Sequence, residues 1–337
     1  MLFRSISATS ATPITVTNNS SSGAVGGVIG SDSGSTVTGI ATVTNVNNSS
    51  GNNYSATGGL VGQATSSTLD QVNINSTVTS NAGAVGGVIG QATSDGGDAN
   101  KKTSITNSQV TSTVNNYSSS NSDGTGGVIG RATSSIFTDV TVNSTVTSFA
   151  GSGATGGVIG SDSGSVLTGT SVTASASNSS YGFWWYWTQA SGDVGGVIGN
   201  ATGTQLIDTK VVTPTDSNGN PSSSVVVTNG GSSGATGGLI GTANSVTITG
   251  VSSSIQANTD ANGNTISATS ATPITVTNNS SSGAVGGVIG SDSGSTVTGI
   301  ATVTNVNNSS GNNYSVTGGI IGQATARSEE HTSELQS

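Results

Sequence analysis

GAVGGVIG, residues 23–30, sets two adjacent glycines before two aliphatics and a third glycine. Glycine loses more backbone freedom on folding than any other residue, so a glycine pair weakens helix and strand alike. One such pair would mark a turn. The five-residue core G-G-[VLI]-[VI]-G, however, begins at Gly26, Gly58, Gly86, Gly126, Gly156, Gly195, Gly237, Gly286 and Gly318, with spacings of 32, 28, 40, 30, 39, 42, 49 and 32. Recurrence of this kind is the signature of a repeat architecture. Gly26, Gly27, Gly30, Gly58, Gly59, Gly62, Gly86, Gly87, Gly90, Gly126, Gly127 and Gly130 therefore read as structural glycines. They belong where a coil bends sharply or two backbones lie too close to admit a Cβ.

The residues downstream of each core recur as well. Counted from its last glycine, apolar residues fall at offsets 7, 10, 12 and 16: Leu69, Val72, Ile74 and Val78 after Gly62, and Phe137, Val140, Val142 and Val146 after Gly130. After Gly30 the set is Val37, Ile40 and Val46 with Thr42 at the third place; after Gly160 it is Leu167, Val172 and Ala176 with Thr170 at the second. Offsets 10, 12 and 16 keep the period of two that marks a strand. The odd step from 7 to 10 crosses turn formers such as Thr38-Gly39, Asp70-Gln71 and Asp139, which places a corner there. Each unit reads as strand, corner, short strand, corner, longer strand and a polar loop. Loops such as NNSSGNNYS (47–55) and NYSSSNSDG (116–124) then account for the uneven spacing.

A few aliphatics per unit cannot offset the entropy of ordering that unit alone. Stacking must supply the rest, each strand pairing with its counterparts above and below. The predicted fold is all-β: a β-solenoid (parallel β-helix) of about nine coils, roughly 40 Å long at ~4.8 Å per coil. The Val, Ile and Thr content suits such pleated surfaces.

The totals narrow the function. A net charge of -9 with 6% charged residues argues against nucleic acid or an anionic membrane as partner. No apolar run approaches the roughly 18 residues of a membrane-spanning helix, so no membrane insertion is expected in this segment. The absence of cysteine removes disulfides and thiolate chemistry.

The chain's two ends stand apart. RSEEHTSELQS (327–337), back-translated, resembles a short-read sequencing adapter, and LFRS (2–5) resembles the end of its partner. The expected organisation is one solenoid domain over residues 6–326, part of a longer protein, with 1–5 and 327–337 as scars left out of fold reasoning. Residues 6–55 also recur letter for letter as 266–315, by recent duplication or by an assembly error in repetitive DNA.

The unit TGGLVGQATSSTLDQVNINSTVTS (57–80) resembles the GLUG-motif repeat, with Val or Ile often replacing Leu, and the likeness extends over nearly all of residues 23–326. The resemblance implies a β-helical segment of a large bacterial surface or secreted protein, many of which are adhesin-like, and hence an extracellular or cell-surface location. Some relatives carry the repeat beside a zinc peptidase domain. This chain has no H-E-x-x-H, so that activity does not carry over.

Nucleophilic and general-base catalysis draw on His, Cys, Glu or an activated Lys. Outside the end stretches the chain has no His, Cys or Glu, so no catalytic residue and no enzymatic activity are expected. No cofactor is expected, calcium being the one conceivable ion. Asp follows the glycine core at Asp32, Asp162 and Asp292, and DGGD (95–98) is the best isolated cluster, but calcium requires about six to eight converging oxygens. Most of these Asp read as turn caps.

YGFWWYW (181–187) is the local anomaly, with all three Trp in a loop between the units at Gly156 and Gly195. Tyr181, Phe183, Trp184, Trp185, Tyr186 and Trp187 are candidate contacts for a surface glycan or a protein receptor, since Trp and Tyr dominate binding hot spots. The bland alternative is that this insertion folds back over a coil face. Thr runs such as TVTGIATVT (36–44) raise an ice-binding alternative, in which rows of outward Thr order water. Thr is also the ordinary outward residue of exposed strands. A third alternative is a filament that self-associates through open coil edges. The leading expectation is a non-enzymatic spacer and contact segment of an adhesin-like surface protein, whose constant partners are its own neighbouring repeats.

Overall fold

The computed structural model describes residues 5–6, 12–19, 23–49, 55–94, 101–118, 123–149, 153–179, 181–183, 186–188, 192–213, 225–231, 233–255, 258–259, 265–266, 274–280, 283–301, 304–309 and 315–325. Among these residues every regular element is a β-strand. Two nine-stranded parallel sheets and one nineteen-stranded sheet stack the repeats into a β-solenoid of nine coils. The repeat count and the fold class read from the glycine cores are both present. The end stretches 1–4 and 327–337 lie outside the described residues, while Ser5 pairs with Thr36.

The coil that starts at Ala56 shows the unit whole: strands Ala56–Gly58, Val61–Thr65, Thr68–Asp70 and Asn73–Ser80. The sequence pattern predicts three strands, and the additional one lies ahead of the glycine pair. Gly58 ends that strand and Gly59 opens the bend to the next. Three residues are too few to display a period, so pattern reading passes over them.

Stacking is in register from end to end. Gly26 pairs with Gly58, then Gly86, Gly126, Gly156, Gly195, Gly237, Gly286 and Gly318 in one continuous column. The three glycines of each core are required for three different reasons. A Cβ on Gly58 would sit within 3.0 Å of the Val61 carbonyl in its own bend. A Cβ on Gly59 would meet the Gly87 carbonyl of the next coil and the Ser76 side chain beneath it. A Cβ on Gly62 would strike the backbone at Ala24 and Val25 on the coil before. None of these three glycines has a positive φ, so crowding alone excludes a side chain.

The predicted inward set is the observed core. Leu69, Val72, Ile74 and Val78 are buried, as are Phe137, Val140, Val142 and Val146, and Thr42 and Thr170 are buried where they replace aliphatics. The predicted corner is a column of left-handed residues: Gly39, Gln71, Asn107, Asp139, Gly169, Asp208, Gly250 and Gly299, with φ between 48° and 72°. Their amide groups donate to the coil below, as from Gln71 N to Thr106 O (3.1 Å) and from Asp139 N to Thr168 O (3.1 Å). These interstrand bonds hold the non-glycine residues in a conformation they otherwise avoid.

The uneven spacing has several sources and not the terminal loop alone. Ile105 lies 15 residues after Gly90, against 7 for Leu69 after Gly62, so the third coil is lengthened at its first corner. In the sixth coil the long strand is split: Lys210–Thr213 and Val225–Gly230 both pair with Ser171–Ser179. Insertions therefore enter at three kinds of place while the register on either side is preserved.

The exact repeat of residues 6–55 provides an internal control on stacking. Strand Ile14–Asn18 alternates between half-buried and exposed, whereas the identical Ile274–Asn278 alternates between buried and half-buried. The difference is the neighbour: Ile274–Asn278 pairs with Val225–Asn229 on the side where Ile14–Asn18 has no described strand. Burial here belongs to the stack and not to the local sequence.

Candidate functional site

Outward positions of the long strands form a flat polar face. Its rows read Asn73, Asn75, Thr77, Thr79, then Gln109, Thr111, Thr113, Asn115, then Thr141, Asn143, Thr145, Thr147. Among the described long-strand residues Lys210 is the one charge. The third column runs Asn45, Thr77, Thr113, Thr145, Ser175, so its Thr series extends over three coils before it changes.

The inward side of the same strands holds two polar columns that the hydrophobic pattern does not reveal. Ser76, Ser112 and Ser144 each donate to a carbonyl of the glycine bend one coil on: Gly87, Gly127 and Gly157, all at 2.6 Å. At the strand ends, Asn18, Asn48, Ser80, Asn116, Ser148, Asn178, Asn229, Asn278 and Asn308 stand in one register column. Asn48, Asn116 and Asn229 donate to Thr57, Thr125 and Thr236 on the following coil at 2.9, 2.8 and 3.0 Å. Asn178 donates across the root of the aromatic insertion to the Gly192 carbonyl at 3.2 Å. The signal for these columns is present in the sequence: the inward series 10, 12, 16 continues through offsets 14 and 18, where small polar residues stand.

The aromatic insertion is a two-stranded antiparallel hairpin where the composition predicts a loop. Tyr181–Phe183 pairs with Tyr186–Thr188, with Gly182 opposite Trp187 and Phe183 opposite Tyr186. Trp184 and Trp185 lie outside the described residues. Two aromatics that no sequence motif marks, Tyr117 and Phe149, stack with centroids 4.8 Å apart and planes 9° from parallel.

The acidic candidates separate. Asp32, Asp162 and Asp292 occupy one inward position on the strand after the glycine bend, a place held by Ala64, Ala92, Ala132, Ala201 and Ala243 on other coils. All three are buried. Asp162 accepts from the Ser165 and Thr204 hydroxyls. DGGD (95–98) lies outside the described residues. Among the described residues no three His, Cys, Asp or Glu side chains come together.

Burial pushes the Asp162 carboxyl above its ordinary value, with hydrogen bonds from Ser165 and Thr204 acting in the opposite direction. A carboxyl whose folded value is raised contributes stability that is present below its unfolded value and lost as pH climbs through the folded one. Asp162 is thus expected to contribute less stability at neutral than at acid pH, and Asp162→Asn should remove that contribution, while Asp70, lowered by hydrogen bonds from Thr106 and Asn107, acts in the opposite sense in both proteins. Asp193, also raised by burial, would leave a residual slope in the variant. Urea midpoints at stepped pH check this, and equal slopes in both proteins would refute it.

Comparison with known protein families, with curated proteins and with solved structures finds no match to this chain.

Proposed function

We propose that this chain is a rigid, non-enzymatic spacer and contact segment of a large extracellular or cell-surface, adhesin-like protein. The observation that carries the reading is the unbroken glycine column through nine coils, which makes the segment one continuous body whose cross-coil hydrogen bonds run along its length. Such a body resists bending and presents its loops at fixed intervals of about 4.8 Å. The nearly uncharged long-strand face suits contact with neutral surfaces in salt water, because it gains little from charge and loses little to screening. The resemblance to GLUG-motif repeats points the same way. The Thr rows are too short and too mixed to favour the ice-binding reading over this one.

Single-molecule stretching tests the mechanical half of the reading. Coils of 28 to 49 residues should release in successive steps, each of roughly 100–170 Å at ~3.5 Å per residue. Extension without resistance would overturn the spacer reading.

A further inference from the structure

We infer that the flat outward face of the long strands in the first five coils is a self-recognition surface, on which a second copy of this chain docks face to face. This rests on the contact half of the proposed function and names its partner.

The face is made by Ala41–Asn48, Asn73–Ser80, Gln109–Asn116, Thr141–Ser148 and Ser171–Ser179, paired in parallel and in register. Strands of eight or nine residues at ~3.3 Å per residue, on coils ~4.8 Å apart, give a face of about 26 by 24 Å, roughly 600 Å² per copy. Specific, stable pairs bury about 600–1,000 Å² on each partner, so the face suffices without help from loops. Its borders are built into the fold. On one side Ile14–Asn18 covers only the second half of Ala41–Asn48. On the other the long strand splits into Lys210–Thr213 and Val225–Gly230.

The chemistry selects the occupant. In a chain of net charge -9 these five strands carry no charged residue, so two copies can approach here without the repulsion that other approaches would meet. Thr, Ser, Asn and Gln side chains each donate and accept. A group of that kind can pair with a copy of itself, as a carboxylate or an ammonium cannot. The period narrows the choice further. Rows on a second copy repeat at the same ~4.8 Å, so one correct contact sets all the others in phase. A surface of different spacing would drift out of step across the coils.

Charge also fixes the orientation. The corner ahead of the long strands bears the exposed Asp139, with Asp70 beside the same corner two coils away. The corner that follows the long strands holds Ser49, Asn81, Tyr117 and Phe149, none of them charged. A two-fold axis parallel to the strands would set the two acidic borders against each other, and juxtaposed like charges are costly. A two-fold axis along the solenoid sets each acidic border against an uncharged one. The copies therefore lie side by side, each coil opposite its own counterpart, in an isologous contact that closes at two.

Sedimentation equilibrium of the full chain tests this. The mass should move from one chain to two across the micromolar range and stop there. Thr113→Lys brings two ammonium groups together at the centre of the face and should raise the dissociation constant by at least about tenfold. Ser163→Lys, exposed on a different sheet, should leave it unchanged. Thr147→Lys, near the uncharged border, reaches the acidic border of the second copy and should tighten the pair by about two- to fivefold at low salt. Misfolding cannot imitate that gain. A mass of one chain throughout, growth beyond two copies, equal effects of Thr113→Lys and Ser163→Lys, or failure of Thr147→Lys to tighten the pair would each overturn the inference. Retention on insoluble cellulose or chitin without self-association would name a different occupant and overturn it as well. Stepwise resistance to stretching would persist in all these cases, leaving the spacer reading standing.

Discussion

Gly127→Ala is expected to destabilise the solenoid by more than about 3 kcal/mol, while Gly319→Ala, the same step in the same column, should be neutral or slightly stabilising. At Gly127 a Cβ falls within 3.0 Å of the Gly157 carbonyl and of the Ser144 side chain. The carbonyl belongs to the adjoining coil's backbone and Ser144 is held by its own bond to that carbonyl, so neither can yield separately. Overpacking a well-filled site typically costs about 1–3 kcal/mol, and here the obstacle is main chain in a continuous ladder. Gly319 has nothing within 4 Å of its would-be Cβ and no positive φ. Alanine there only restricts the unfolded chain. In a repeat array the damage should spread to neighbouring coils and fade with distance. Hydrogen exchange checks both the magnitude and the spread: fast exchange confined to the coils around Gly127 is the expected map, and equal stability of the two variants would refute the crowding argument.

That contrast shows how much of the molecule is legible in its sequence. The glycine cores disclose the stacking, because nine recurrences leave few alternatives to a ladder. Offsets 7, 10, 12 and 16 disclose the apolar core, because a strand's period of two persists through single replacements such as Thr42 and Thr170. The polar half of the core escapes such a reading for a physical reason. Burial of Ser76 or Asn116 is tolerated only because a partner waits on the next coil. That partner is remote in sequence and invisible to a scan for apolar spacing. The insertions are misplaced for a related reason: a split long strand, as at Lys210–Thr213 and Val225–Gly230, keeps both halves paired, and only the ladder shows where it breaks. The candidate contact residues of the hairpin stand out by composition, whereas Tyr117 and Phe149 are ordinary singly and acquire meaning from adjacency across coils.

The asparagine column supports the second large prediction, since it explains how loops of different length leave an undisturbed stack. Asn116 is fully buried and does two tasks: its Oδ1 accepts the Ser118 amide at 3.0 Å, and its Nδ2 donates to Thr125 at 2.8 Å. Asn229 repeats both, with Gly231 at 3.0 Å and Thr236 at 3.0 Å. One side chain thus turns the backbone out of the long strand and ties the root of the loop to the start of the next coil, whatever lies between. Ser80 keeps the first task, accepting from the Ala82 amide at 3.0 Å, and donates to Thr57 on its own coil. Substitutions at Asn116 should therefore be graded in effect. Asn116→Ser should lose only the cross-coil bond, at about 1–2 kcal/mol, whereas Asn116→Leu deprives two buried groups of a partner, at about 3–5 kcal/mol. The loop residues between 117 and 124 should then become open to protease in the Leu variant first. Equal losses in the two variants would mean that the site is governed by volume, and the ladder would have to be read as packing with no part in anchoring the loops.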